Sequence, residues 1–177
     1  MAVGKTVQRS GQAAKGWSRA PIPPKLRRDS LPRFPGGPDG KSDMSYMQLI
    51  YASRPFGFDE AMLQGILMDA RRCNVRDGIS GALICRDDLF LQLLEGPTDK
   101  VLATYARIQR DDRHVEMRPL VRRAITSQGR MFGQWAMRDD PARSWVWSRE
   151  DVHQGAIERA TEAEVLAIFG RLAAEPA

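Results

Sequence analysis

The sequence predicts an α+β fold: a mixed sheet of about five strands, two helices on one face, and further helices at the C-terminal end. Two observations carry this expectation. Short segments in which apolar residues alternate or run continuously are interleaved with two segments of helical period. Their order is strand, helix, strand, strand, helix, strand, strand.

The first strand is read from Met47, Leu49 and Tyr51, which alternate with Gln48, Ile50 and Ala52. Both sides are apolar enough for a central position. Pro55 and Gly57 mark a loop. Asp59 then opens a helix that is predicted to run to about residue 73, with Met62, Leu63, Ile66, Leu67, Ala70 and Cys73 as its stripe and Asn74 closing it. After the Asp77-Gly78 turn, strands over 79–86 and 89–95 flank Asp87-Asp88 and form a hairpin. Gly96-Pro97 leads into a second helix over 98–112, buried through Val101, Leu102, Tyr105 and Ile108. A strand over 117–125 contains Pro119, which points to an edge or a bulge. A last strand is expected over 130–137. From Pro141 the chain reads as helical, with Thr161 and Glu164 as a capping box before Val165, Ile168, Phe169 and Leu172. The first six elements match a ferredoxin-like split unit, in which right-handed crossovers put both helices on one face.

Hydrophobic residues make up 42% of the 177, enough for a core. The charge is unevenly placed. Residues 1–43 hold nine Lys/Arg against three Asp/Glu, whereas the rest hold 18 against 19. The basic character therefore belongs to the segment 1–43, which is rich in Gly, Pro and Ser and has no hydrophobic period. It reads as a solvated tail, or as sequence upstream of a start at Met44 or Met47. Residues 44–138 form the predicted domain and 139–177 a helical extension. No charge argument assigns nucleic acid to the domain itself. The two cysteines form no pairing or zinc motif, and no apolar run is long enough for a secretory signal or a membrane span. These features predict a reducing, cytoplasmic setting without membrane attachment.

Three polar side chains stand where the pattern calls for apolar ones: Tyr51, Asn74 and Gln92. A buried carboxamide without partners costs roughly 1–3 kcal/mol. Either the three satisfy one another in the core, or a flat heteroaromatic ligand with donors and acceptors on its rim satisfies them. Arg107 and Asp111 are spaced four apart, with Arg113-His114 just beyond; they form either a surface ion pair or a polar mouth for a sugar and a phosphate. Trp135 and Met137 share a strand face. With only two histidines, no catalytic metal is expected. There is no GxSxG, no phosphate-cradling glycine loop and no nucleophile with a plausible base.

Five blocks resemble one known family in register. They are Leu49-Ile50-Tyr51-Ala52-Ser53; Ala70-Arg71-Arg72-Cys73-Asn74 with Gly78-Ile79-Ser80-Gly81-Ala82-Leu83; Phe90-Leu91-Gln92-Leu93-Leu94-Glu95-Gly96; residues 107–114; and residues 130–137. Together they resemble the BLUF domains, blue-light sensors that hold a flavin. Cys73, Ser80 and Ala70 depart from the residues most frequent there, which bears on dark recovery and flavin affinity.

The resemblance implies a non-covalently bound FAD, with FMN as the other candidate, between the two helices. It implies that Tyr51 is the light-driven electron donor and that Gln92 bridges Tyr51 and the flavin. Asn74 holds the flavin's pyrimidine edge, Ile66 lines the ring, and Arg107, Asp111 and His114 lie toward the ribityl chain and phosphate. Trp135 and Met137 relay the state of Gln92. It further implies a sensor that is not an enzyme, forms a homo-oligomer and signals to a separate downstream protein. Two rival readings share the element order: a small hydrolase of acylphosphatase type, and an interaction domain without cofactor.

Overall fold

The computed structural model describes residues 45–57, 59–139 and 146–175. The basic segment 1–43 lies outside the described residues, and so do residues 140–145. Everything described falls in one compact unit, Asp39–Ala177.

Five strands form the sheet: β1 (Tyr46–Pro55), β2 (Ser80–Arg86), β3 (Leu89–Pro97), β4 (His114–Ile125) and β5 (Trp135–Asp139). Their spatial order is β4-β1-β3-β2-β5. The first four pair antiparallel, and β5 joins β2 in parallel, so the sheet is mixed as expected. Helices α1 (Glu60–Asp77) and α2 (Thr98–Ile108) are the two crossovers. Both lie on one face. Val101 and Tyr105 of α2 pack with Met47, Leu49, Tyr51 and Leu94, while Ile66 of α1 packs with Leu83, Cys85 and Phe90. The strand register puts all of these strand residues on the same side.

The opposite face is also closed. Ile50, Ala52, Ala82, Ile84, Leu91 and Leu93 are buried. The extension forms three helices rather than one or two: α3 (Arg149–His153), α4 (Ala156–Arg159) and α5 (Glu162–Ala174). The predicted capping box is present at Thr161 and Glu164, and Val165, Ile168, Phe169 and Leu172 are buried. Helix α5 packs against β4.

Four boundaries differ by three residues or more from the sequence reading, each for a local reason. Helix α1 continues past Asn74 for most of a turn and stops at Gly78, whose φ of 66° is the left-handed cap that glycine takes without strain. Asn74 therefore lies inside the helix. Helix α2 ends early, at Ile108, because Asp111 organises a turn: its side chain accepts from the Arg113 N–H and its carbonyl from the His114 N–H. Strand β4 accordingly starts at His114. Strand β5 begins only at Trp135, because the N–H groups of Met131 and Phe132 bond to Glu95 instead of a strand. Pro119 sits where the β1–β4 register shifts, on an edge strand, so both halves of that expectation hold.

Gly81 is required by packing. A Cβ there would lie 2.1 Å from the Leu93 carbonyl oxygen, at a φ of 134°.

Candidate functional site

The site is built on the helix face at the seam between the two apolar clusters. Tyr51 stands at the middle of β1, directly opposite Gln92 of β3. Cross-strand neighbours of one face lie within side-chain reach. Here the Tyr51 hydroxyl donates to Gln92 Oε1. Tyr51 is wholly buried, and Gln92 nearly so. Burial pushes the Tyr51 phenol well above its ordinary range, helped by Tyr105 and Asp111. The proton therefore stays on the oxygen throughout the physiological range.

Aromatic groups enclose the pair. The Tyr105 ring of α2 lies 5.3 Å from that of Tyr51, and burial pushes its own phenol up to about 12. His114 lies 6.2 Å from Tyr51 and 5.2 Å from Phe90, ring centre to ring centre. Its Nδ1 is 3.0 Å from Ser53 Oγ. Burial lowers it to about 4, so the imidazole is neutral at pH 7.

The remaining predicted residues fall around this centre. Ile66 projects from α1 into the cluster that also touches Trp135. Asn74 is buried in the last turn of α1, and its carbonyl accepts from Ile79 at 2.9 Å, tying the helix end to β2. Trp135 lies beside Gly81, and its Nε1 is buried without a partner among the described residues. Met137 is placed by its backbone opposite Leu83, which itself stands opposite Gln92. The Met137 side chain lies outside the described residues.

The expected pairing of Arg107 with Asp111 is not formed. Asp111 lies beyond the end of α2, and Arg107 is exposed on that helix. The partner of Asp111 is Arg113, whose Nη2 and Nε donate at 2.6 and 2.8 Å and hold the carboxyl below its usual range. Arg113 also reaches Asp69 of α1 at 3.2 Å. One guanidinium thus bridges α1 and the turn after α2. Gly65 leaves room for it, since a Cβ there would lie 3.1 Å from Arg113 Nη1.

Sequence reasoning passes over Arg113, Asp69 and Ser53 as site residues. Arg113 carries a signal, since it adjoins His114 and follows Asp111. The other two carry none, because each meets its partner across a separation of 44 or 61 residues.

Residues 46–138 match the family described as BLUF, sensors of blue-light using FAD. The chain belongs to the BLUF family. It is 41% identical over 71 residues to the photoactivated adenylate cyclase subunit beta of Euglena gracilis, a match covering 37% of this chain and 8% of that protein. A beta-like protein of the same organism is 33% identical over 109 residues, covering 58% and 12%. The chain thus spans about a tenth of the length of these relatives. Among solved structures, the dark state of the BLUF protein BlrB superposes with a TM-score of 0.58 at 28% identity, covering 75% of this chain and 98% of that one. A bacterial light-regulated adenylyl cyclase superposes at 0.54 and 28%, covering 71% and 39%.

This BLUF domain is a blue-light sensor, and its family binds flavin. That membership decides for a sensor over the hydrolase reading. The site fits the cofactor. With Oε1 taken by Tyr51, no acceptor for the Gln92 NH2 stands out among the described residues, and the Trp135 N–H is a second donor on the same face, buried without a partner among them. A heterocycle rimmed with carbonyl and ring-nitrogen acceptors suits such donors. Among the described residues no His/Cys/Asp/Glu group could hold a metal, and no helix is long and apolar enough to cross a membrane.

Proposed function

We propose that the domain binds FAD between α1 and α2 and signals blue light through a rearranged hydrogen bond at the Tyr51–Gln92 pair. FAD is the flavin that the family description names. Ile66, Asn74, Gln92, Asp111 and His114 are the groups that would hold it, with Arg113 fixing Asp111 and Arg107 at the rim. Bound flavin supplies a strong one-electron oxidant once it absorbs blue light.

The chain's own part is proton handling. Tyr51 is the phenol able to give up an electron, and its hydroxyl proton already points at Gln92 Oε1. A carboxamide that receives that proton can rotate or tautomerise, which exchanges its donor and acceptor ends. The neutral imidazole of His114 adds no positive charge beside the pair. Trp135 and Met137, on the strand beyond β2, carry the change outward. The observation that supports this most directly is a buried, protonated phenol bonded to a carboxamide between the two crossover helices.

The sensor has no catalysis of its own and acts on a separate protein. Its relatives named as photoactivated cyclases join light sensing to an effector in one protein. Self-assembly of the chain is part of the same reading.

The test is an absorption spectrum before and after blue illumination, with the released cofactor identified by chromatography. The wild-type protein should purify yellow with FAD, shift its flavin band to the red in light and recover in the dark. Gln92→Leu should retain flavin and lose the shift. An intact photocycle in that variant rejects the role of Gln92. A colourless protein that takes up no added flavin rejects the whole reading.

A further inference from the structure

A second polar pair joins the same two strands on the other face. Gln48 and Glu95 stand opposite each other, each three residues from Tyr51 and Gln92 respectively. Both are wholly buried. Gln48 Nε2 donates to Glu95 Oε1 at 2.5 Å, and Arg123 of β4 donates to Gln48 Oε1 at 2.6 Å. Glu95 also accepts the Met131 N–H at 2.8 Å and the Phe132 N–H at 3.0 Å. It therefore clamps the connection that leads, three residues later, into Trp135. A buried acidic side chain needs such donors to be tolerated at all.

Ser80 of β2 is the next residue in this row, opposite Glu95. Its hydroxyl is buried without a partner among the described residues. Neighbours across a sheet lie roughly 4.5–5.5 Å apart at Cβ. Glu95 thus has an alternative donor at hand if it releases the loop amides.

We propose that Glu95 is a positioning residue that couples the Tyr51–Gln92 pair to the β4–β5 connection, loosening its hold on Met131 and Phe132 in the light. The coupling is mechanical. Rearrangement at Gln92 shifts β3 against β1, and the next polar link between those strands is Gln48–Glu95. This inference rests on the sensor reading above.

Amide hydrogen exchange in dark and in light tests it, read beside the flavin red shift. In the wild type the Met131 and Phe132 amides should exchange faster under illumination. In Glu95→Gln they should exchange about tenfold faster in the dark, with no further light effect, while the red shift persists. In that variant three donors confront a single oxygen. The exchange Gln48→Glu with Glu95→Gln reverses that one hydrogen bond, the new amide NH2 donating to the new carboxylate, which leaves the amide oxygen to the two loop N–H groups and should bring back both the dark protection and the light response. A merely structural residue would not restore a light-dependent difference. Unchanged exchange at both amides in a wild type that shows the red shift overturns the coupling and leaves the sensor reading intact. So does a normal light response in Glu95→Gln. If Glu95→Gln holds no flavin, the wild-type comparison and the double exchange still decide. A wild type without a red shift overturns the sensor reading, and the coupling with it.

Discussion

The two faces of one sheet treat the same kind of residue in opposite ways. On the helix face, Gln92 makes its bond to Tyr51 amid Tyr105, Phe90 and His114. On the far face, Glu95 is surrounded by donors from Gln48, Met131 and Phe132. The strands and the register are shared. A saturated polar group holds position, whereas a carboxamide with its NH2 still to place can answer a ligand. A few residues of spacing along β3 therefore separate a switch from a clamp.

The strongest way to break this contrast is Tyr51→Phe. It removes the donor to Gln92 Oε1 and leaves every far-face bond in place. The photocycle should vanish completely, read as the absence of a light-induced red shift in a flavin-loaded protein. The abandoned carboxamide oxygen should also lower unfolding stability by roughly 1–3 kcal/mol. A red shift of normal size would mean that Tyr51 is not the donor.

The helix-face half of this contrast is legible in the amino-acid sequence. Tyr51 and Gln92 stand out because each interrupts an apolar strand, and the element order forces both helices onto one face. The far-face pair is not legible there. Gln48 and Glu95 sit where a half-exposed strand would also carry polar residues, and the partners they meet lie far along the chain: Arg123 for Gln48, and Met131 and Phe132 for Glu95. The strand expected from residue 130 starts late for the same reason, since a side chain 36 residues away takes its N–H groups. Asp111 misleads differently. Spacing suggests Arg107, but the helix ends at Ile108 and the fork of Arg113 is nearer. Periodicity reports which face a residue occupies. It does not report a long-range partner.

A pH titration sharpens the helix-face half of the comparison. Burial holds His114 neutral and lowers it from 6.5 to about 4. In the unfolded chain the same ring takes a proton near pH 6.5. Between those values the unfolded state binds the extra proton, so stability falls as pH falls. The contribution is complete above about pH 6.5 and is lost progressively toward pH 4, by roughly 3 kcal/mol in all. Urea unfolding at pH 7.5 and pH 5 should recover about 2 kcal/mol of that difference. His114→Gln, which can still meet Ser53, should flatten the slope. An equally steep slope in the variant would assign it to carboxyl groups such as Asp111, whose lowered range also makes stability fall in acid.

The smallest expected effect probes the cover of the far face without touching either polar pair. Thr161 caps α5: its hydroxyl accepts from the Glu164 N–H, and the Glu164 carboxyl accepts from the Thr161 N–H. The cap fixes the start of a helix whose Val165, Ile168, Phe169 and Leu172 are buried. Thr161→Ala leaves that stripe and the sheet unchanged and removes the hydroxyl, with the bond it accepts from the Glu164 N–H and the one it donates to the Glu164 carboxyl, which costs about 1 kcal/mol. Thermal or urea unfolding should register that loss. The flavin red shift should keep its size, because nothing at Tyr51 or Gln92 depends on the α5 cap. The Met131 and Phe132 amides should keep their dark protection, because Glu95 retains every donor it has. A variant that instead weakened the red shift would show that the covering helix and the switch are one mechanical unit, and the division of labour between the two faces would fail.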